Sequence, residues 1–376
     1  MLYYAQGTAI VTDDELFSSD NLSKSSAFFA DLSQGISPAS IVFSTGVLEA
    51  VSARSAMAPG ESPVPFEPIG LGKPLTVMIR EVYTGAHPSG GLFGGKKDML
   101  ITSALKSITA FDAKPRAINF LEKKVAPNSR LNRPGASEQG TPLVFYSPSL
   151  LERSLTMDLG VVFDQFDPKL FDTLGDVFSA AAGIPLFLPA SLYLLAAGML
   201  TKIAGSAGEA LFDGKPVFDR TEALDVFFPG SPPLPPGFRL ITPDNVDVQE
   251  SGFRDKYHVN SLGQVVDGSD KPYQGNMPYI VISVDGTEQP EYASFTPTAA
   301  SAAILAKFFG AGEQGQLAKD LIKAVQVLND VTFRTQVDQL DAQIKEAKTA
   351  KEKAALKVKR EALAKNIMED LLKPKE

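Results

Sequence analysis

The sequence predicts an α+β protein: a β-sandwich-like body with an inserted apolar helical hairpin and a coiled-coil-like helical extension at the C-terminus. Three observations predict it. Short segments of alternating hydrophobicity, separated by long loops, occur on both sides of the middle of the chain. Between them Val177 to Thr201 runs without a charged side chain, closed by Asp176 and Lys202. From about residue 314 apolar residues recur at helical spacing among Lys, Glu and Asp. The expected divisions are an irregular segment at 1–68, a β-rich body at 69–312 with its helical insertion at about 168–226, and the extension at 313–376.

In the first segment Thr8 to Thr12 reads as a short strand, Ile41 to Phe43 and Val47 to Val51 are short apolar runs, and the Pro-rich stretch Ala58 to Pro68 reads as a loop or linker. In LTVMIREVY, Leu75, Val77 and Ile79 alternate with Thr76, Met78 and Arg80, as a half-buried strand requires. Asp98 to Ser107 and Thr141 to Tyr146 are further strands, joined by a long Pro-punctuated connection. The last strand before the apolar run, Leu155 to Asp164, puts Leu155, Met157, Leu159, Val161 and Phe163 on one side. Asp167-Pro168 supplies an N-cap followed by Pro at the first helical position.

Pro189 is expected to open a second helix that stops at Asp213-Gly214. Beyond the Pro-rich connector Phe228 to Gly237, the strands return: Phe238 to Ile241, Tyr257 to Val259, Gln264 to Val266 and Tyr279 to Val284. Asp285-Gly286 is expected to form a hairpin turn, and Thr296-Pro297 to cap a helix ending near Gly310. Thr349 and Glu352 match a capping box, which favours a helical hairpin bent near Lys348, with one long helix as the alternative. Its first arm would use Leu317, Leu321, Val325, Leu328 and Val331, and its second Leu356, Leu363, Ile367 and Leu371.

Composition excludes several chemistries. The 376 residues include no Cys, so disulfides, thiolate metal sites and cysteine nucleophiles are absent. The two His, His87 and His258, rule out a His-rich metal site within one chain. A net charge of −8 argues against a nucleic-acid partner and gives no general attraction to anionic lipid, local basic patches aside. The N-terminus lacks the basic and apolar regions of a secretory signal, so the cytoplasm is the expected compartment.

Gly90 to Lys96 has the spacing of a phosphate-binding loop, but Lys97 stands where that motif needs a metal-binding hydroxyl. A surface loop is the better reading. Neither His has a nucleophile and orienting acid at a telling spacing, and no G-x-S-x-G elbow occurs. Asp164, Asp167, Asp172 and Asp176 have the chemistry of calcium ligands, yet acids at a helix start are what the macrodipole favours. Asp267-Gly268-Ser269-Asp270 reads as a turn. No catalytic, cofactor-binding or metal-binding residue is assigned, and no cofactor is expected.

Two segments resemble C2-like β-sandwich domains. KPLTVMIREVYTG, from Lys73, is similar to an opening C2 strand. GNMPYIVISVDG, from Gly275, is similar to the strand after the first C2 loop. The resemblance implies a sandwich that docks lipid or protein. Where the family usually has Asp-Pro-Tyr, Asn276-Met277 precede Pro278-Tyr279, so a calcium-ligating Asp is missing there.

A spanning helix needs about 20 consecutive apolar residues. Pro185 and Pro189 cut the apolar run into two shorter pieces, which favours a helix-turn-helix in the core over a membrane-active or exposed docking segment. Candidate membrane or partner contacts are Phe93, Lys96, Lys97, Leu186, Phe187, Leu188, Leu192 and Tyr193. Candidate helix-pairing residues are Leu317, Leu321, Leu328, Leu356, Leu363 and Ile367. Three functions stay open. The favoured one is a non-enzymatic interaction or assembly protein, meeting a protein partner or itself through the C-terminal helices. The others are a membrane-acting effector with a sequestered apolar hairpin, and a hydrolase using Asp and Glu with His258.

Overall fold

The computed structural model describes residues 2–6, 9–12, 15, 66–88, 96–106, 116–132, 139–181, 183–190, 193–196, 199–203, 216–226, 234–243, 252–308 and 315–374. In chain order it contains β1 (Leu2–Gln6), β2 (Ala9–Val11), β3 (Leu75–Tyr83), β4 (Lys97–Lys106), β5 (Arg116–Val125), β6 (Arg130–Asn132), β7 (Leu143–Ser147) and β8 (Ser154–Asp164). Helix α1 (Pro168–Ala180), β9 (Leu186–Ala190), β10 (Tyr193–Ala196), β11 (Met199–Lys202), β12 (Pro216–Asp225) and β13 (Gly237–Ile241) come next. The short helix α2 (Phe253–Lys256), β14 (Tyr257–Val259), β15 (Val265–Asp267) and β16 (Tyr279–Asp285) lead to α3 (Phe295–Phe308), α4 (Gly315–Glu346) and α5 (Ala350–Ala364).

The fold is α+β with antiparallel sheets. One sheet has the order β2-β1-β13-β16-β3-β6, with β7 also on β3; the other runs β11-β10-β9-β5-β4-β8-β12. A single apolar core is shared by both, with Val77, Ile79, Ile280 and Ile282 from the first and Ile101, Phe120, Leu159 and Phe187 from the second. Alternation in β8 is as expected: Leu155, Met157, Leu159, Val161 and Phe163 all enter this core. In β3 the alternation is interrupted. Ile79 faces Ile282 but Glu81 faces Val281, so Arg80 is the extra residue of a β-bulge. Val82 therefore returns to the core, while Glu81 and Tyr83 turn to the outer face of the sheet.

The two sheets are joined by residues 139–147. Leu121 N–H donates to Gln139 O at 2.9 Å and Thr141 N–H to Asn119 O at 2.7 Å; Ile79 N–H then donates to Pro142 O at 2.8 Å. The chain thus leaves β5 and joins β3 within a few residues. Gly140, at φ +149°, is required there, because a Cβ would stand 1.9 Å from Asn119 O. The buried Asn119 sits at a bulge in β5 and fastens the crossing by donating to Leu143 O at 2.7 Å.

The expected helical hairpin at 168–226 is corrected. Its first arm exists: Asp167 accepts the N–H of Lys169 at 2.9 Å, and Pro168 opens α1. The second arm, where it is described, is strand; residues 204–215, with the expected Asp213-Gly214 stop, lie outside the described residues. Residues 186–190, 193–196 and 199–202 form β9, β10 and β11, and 216–225 form β12, all within the second sheet. The reason is burial on both faces. Leu186, Leu194 and Ala196 pack under α1, while Phe187 and Leu195 enter the shared core, where Phe295 of α3 meets Phe187 at 5.5 Å. A strand covered on both sides has no polar face, so its sequence loses the period that separates strand from helix. Pro189, which has no N–H to give, lies where the β9–β10 register shifts.

Smaller corrections follow. The connection after β4 contains β5, which the sequence reading left out. Residues 2–6 and 9–11 are sheet rather than irregular, since β1 pairs with β13 and with β2. Gly286 closes no hairpin; its N–H donates to Glu67 O at 3.0 Å and the chain turns toward α3. Thr296 lies inside α3 and donates its hydroxyl to Tyr146 O at 3.0 Å. The C-terminal hairpin is as expected, with Thr349 accepting the N–H of Glu352 at 3.1 Å and the Glu352 carboxylate accepting that of Lys348 at 3.3 Å. Among the described residues no helix is long and apolar enough to cross a membrane.

Candidate functional site

Two places concentrate chemistry that the apolar core does not need. The first is the outer face of the first sheet, where α2 and the β14–β15 ribbon cover Tyr83, Phe238, Tyr273 and Tyr279. The β3 bulge aims Glu81 into this layer, with its side chain 1% exposed. Its carboxylate accepts from Arg130 Nη1 at 2.7 Å and from the N–H of Val265 on the ribbon at 2.9 Å. Arg130 Nη1 also donates to the Tyr279 hydroxyl at 2.8 Å, and the guanidinium lies 4.4 Å from the centre of the Tyr83 ring. Tyr83 packs edge-on against Tyr273 at 5.4 Å, and its hydroxyl lies within donating distance of Gly275 O (2.8 Å) and Asn128 Oδ1 (2.9 Å).

Burial raises the Glu81 pKa above the usual carboxyl range, against the opposing pull of the Val265 N–H and Arg130. Burial, reinforced by the Glu81 carboxylate, pushes the Tyr279 hydroxyl far above its ordinary value. These partners engage each other and tie the ribbon to the sheet. A buried pair of this kind adds little net stability, but removing one partner is costly.

The second place is the C-terminal hairpin. Val337 and Leu340 of α4 meet Leu363 and Ile367 in a small buried cluster, with Phe333, Leu356 and Leu151 packed round it. Arg360 donates to both carboxylate oxygens of Asp341, at 2.7 and 3.3 Å. Asp330, buried, accepts the N–H groups of Met368 and Glu369, and Arg334 donates to the carbonyls of Leu372 and Lys373. The hairpin meets the two-sheet body near the C-terminal end of α5: Asn366 donates to Ser149 O at 3.5 Å and Lys365 pairs with Glu288 at 3.3 Å. On the outer side of α4, Val327 and Val331 are 37% and 42% exposed.

The structure distributes the sequence-derived candidates as follows. Phe93 and Leu192 lie outside the described residues, as does most of the Gly90–Lys96 loop. Lys96 is exposed, and Lys97 is half-buried where β4 begins. Leu186 and Phe187 are buried on opposite faces of β9; Leu188 and Tyr193 are half-buried. Leu317, Leu321 and Leu328 fall within α4, and their side chains lie outside the described residues. Leu363 and Ile367 are buried and Leu356 half-buried, all within the hairpin itself. Leu371, expected on the same stripe, is 91% exposed.

His87 stacks on Phe163, its pKa lowered by burial, and His258 is buried on β14. Asp167 is a cap, and Asp267 closes its turn by accepting from Ser269 and Lys271. Among the described residues no group of three or more His, Cys, Asp or Glu could hold a metal ion. Sequence reasoning missed Glu81 and Arg130. The available signal was a carboxylate inside the apolar strand LTVMIREVY, which cannot be buried without a partner.

Comparison with protein-family models, with curated proteins and with solved structures returns no match. The two C2-like segments lie on the paired antiparallel strands β3 and β16, an arrangement open to any antiparallel sheet.

Proposed function

We propose that this is a non-enzymatic interaction or assembly protein, with the two-sheet, β-sandwich-like body as platform and the C-terminal hairpin as the recognition element. The observation that carries the reading is the outer face of α4. At about 100° per residue, Val327 and Val331 lie about 40° apart and Thr335 about 40° further on. That exposed stripe, bordered by the Arg334–Asp338 ion pair, is centred about 150° from the buried Val337 and Leu340. The helix therefore has one side committed to α5 and another turned to solvent. β-branched residues are poor helix formers, so two exposed valines one turn apart cost the isolated helix a few tenths of a kcal/mol each. A partner surface offsets that cost.

The test uses tagged full-length protein, chemical cross-linking and pull-down, comparing wild type with V327D/V331D. Loss of the cross-linked or captured species in the variant supports the reading. Identical patterns, with the fold intact by circular dichroism, remove it.

A further inference from the structure

The hairpin end that carries the α4–α5 turn is strongly basic in an acidic chain. Lys345, Lys348, Lys351, Lys353 and Lys357 are exposed, against Glu346 and Glu352, and Glu352 is occupied by capping the turn. Among the described residues none of these lysines has an ion-pair partner. The contacts described above hold the hairpin to the body near the opposite end of α5, at Asn366 and Lys365, so the lysines belong to the end turned away from that anchor.

The same chain carries a surface of opposite sign. Asp164, Asp167, Asp172 and Asp176 are all exposed along the end of β8 and on α1, and Lys169 is the sole basic residue in that stretch of sequence. Lys123, nearby, lies over the Phe171 ring at 4.5 Å. Asp172 and Asp176 stand four residues apart on one helix face, a like-charge pairing that costs a helix a few tenths of a kcal/mol. Among the described residues neither has an ion-pair partner. A cationic partner relieves that repulsion, and a net charge of −8 makes the body as a whole attract a basic end.

We infer that the partner is a second copy of this chain, joined head to tail, with the lysine end of one hairpin seated on the α1 aspartates of the next copy. This rests on the reading of the hairpin as the recognition element. Two different patches meet, so the contact is heterologous and propagates unless its rotation closes a ring. The joint is also exposed and therefore salt-sensitive: screening acts over about 10 Å at 0.1 M salt and about 3 Å at 1 M.

Sedimentation velocity of the full chain tests it over a range of concentrations at about 0.05 M and about 0.5 M salt. The expected result is a series of species above the monomer at low salt that is lost at high salt. K351E/K353E/K357E and D172K/D176K are each expected to stay monomeric, because each places like charges at the joint. Mixing the two restores opposite signs at both joints, and assembly should return. Monomer at every concentration and salt, assembly insensitive to either variant, or a mixture that stays monomeric would overturn the inference. If assembly survives both charge reversals but is lost in V327D/V331D, the hairpin reading stands and only the electrostatic self-joint falls.

Discussion

Asp330 on α4 holds Glu369 beyond the end of α5: its carboxylate accepts the Glu369 backbone N–H at 2.7 Å while the residue is only 2% exposed. The same oxygen accepts from Met368 at 3.2 Å, so one buried charge satisfies two amides that follow the helix. Asp330→Ala leaves both unpaired and should cost about 1–3 kcal/mol. Hydrogen exchange at Met368 and Glu369 should accelerate by more than at Leu363. Unchanged protection at those two amides would show that the carboxylate does not hold the segment.

The turn of the hairpin depends on Thr349. Its side chain accepts the Glu352 N–H at 3.1 Å, and replacing such a cap by Ala typically costs about 1 kcal/mol. Thr349→Ala should lower the unfolding free energy by that amount, read as a lower denaturant midpoint at unchanged slope, and Thr349→Ser should restore most of it. Equal stability of the three proteins would place the start of α5 elsewhere.

Glu81 makes a prediction in pH. Burial raises its folded-state pKa above the unfolded value of about 4.3, so between the two the folded chain keeps a proton that the unfolded chain has lost. Stability contributed by this group therefore falls as pH rises from about 4.3 to the folded value, and is constant above it. Glu81→Gln removes that slope; urea midpoints from about pH 4 to about pH 8 should fall less steeply in the variant than in wild type. Parallel profiles contradict the assignment. Glu81→Ala strands Arg130 in the tyrosine layer and should cost about 3–5 kcal/mol at neutral pH.

Legibility followed the physics of each element. β8 could be read because its shared-core positions, Leu155 to Phe163, recur at every second residue, and α1 and the hairpin turn because Asp167 and Thr349 are side-chain signals local to the backbone they cap. β9 and β10 could not be told from helix, because burial between α1 on one side and the shared core on the other left no charged position to set a period. β5 was hidden by its bulge at Asn119, which breaks the alternation in RAINFLEKKV. Glu81 was overlooked for the same kind of reason, since the shift that turns it outward exists only in the pairing of β3 with β16. Leu363 and Ile367 are buried against Val337 and Leu340 within the hairpin, and Leu371 leaves that stripe because α5 ends at Ala364 and a tight 3-10 turn over Asp370–Leu372 resets the period.

Recognition by the hairpin depends on the outer face of α4. Sedimentation velocity of the full chain and of V327D/V331D, at matched concentrations and low salt, measures it. Wild type should show a concentration-dependent species above the monomer, and the variant, which loses the apolar face of α4 and adds negative charge to a hairpin that meets an acidic body, should sediment as a monomer with unchanged helix content. A wild type that remains monomeric and captures no partner, or a variant that assembles and captures as wild type does, would contradict the assignment of the hairpin as the recognition element.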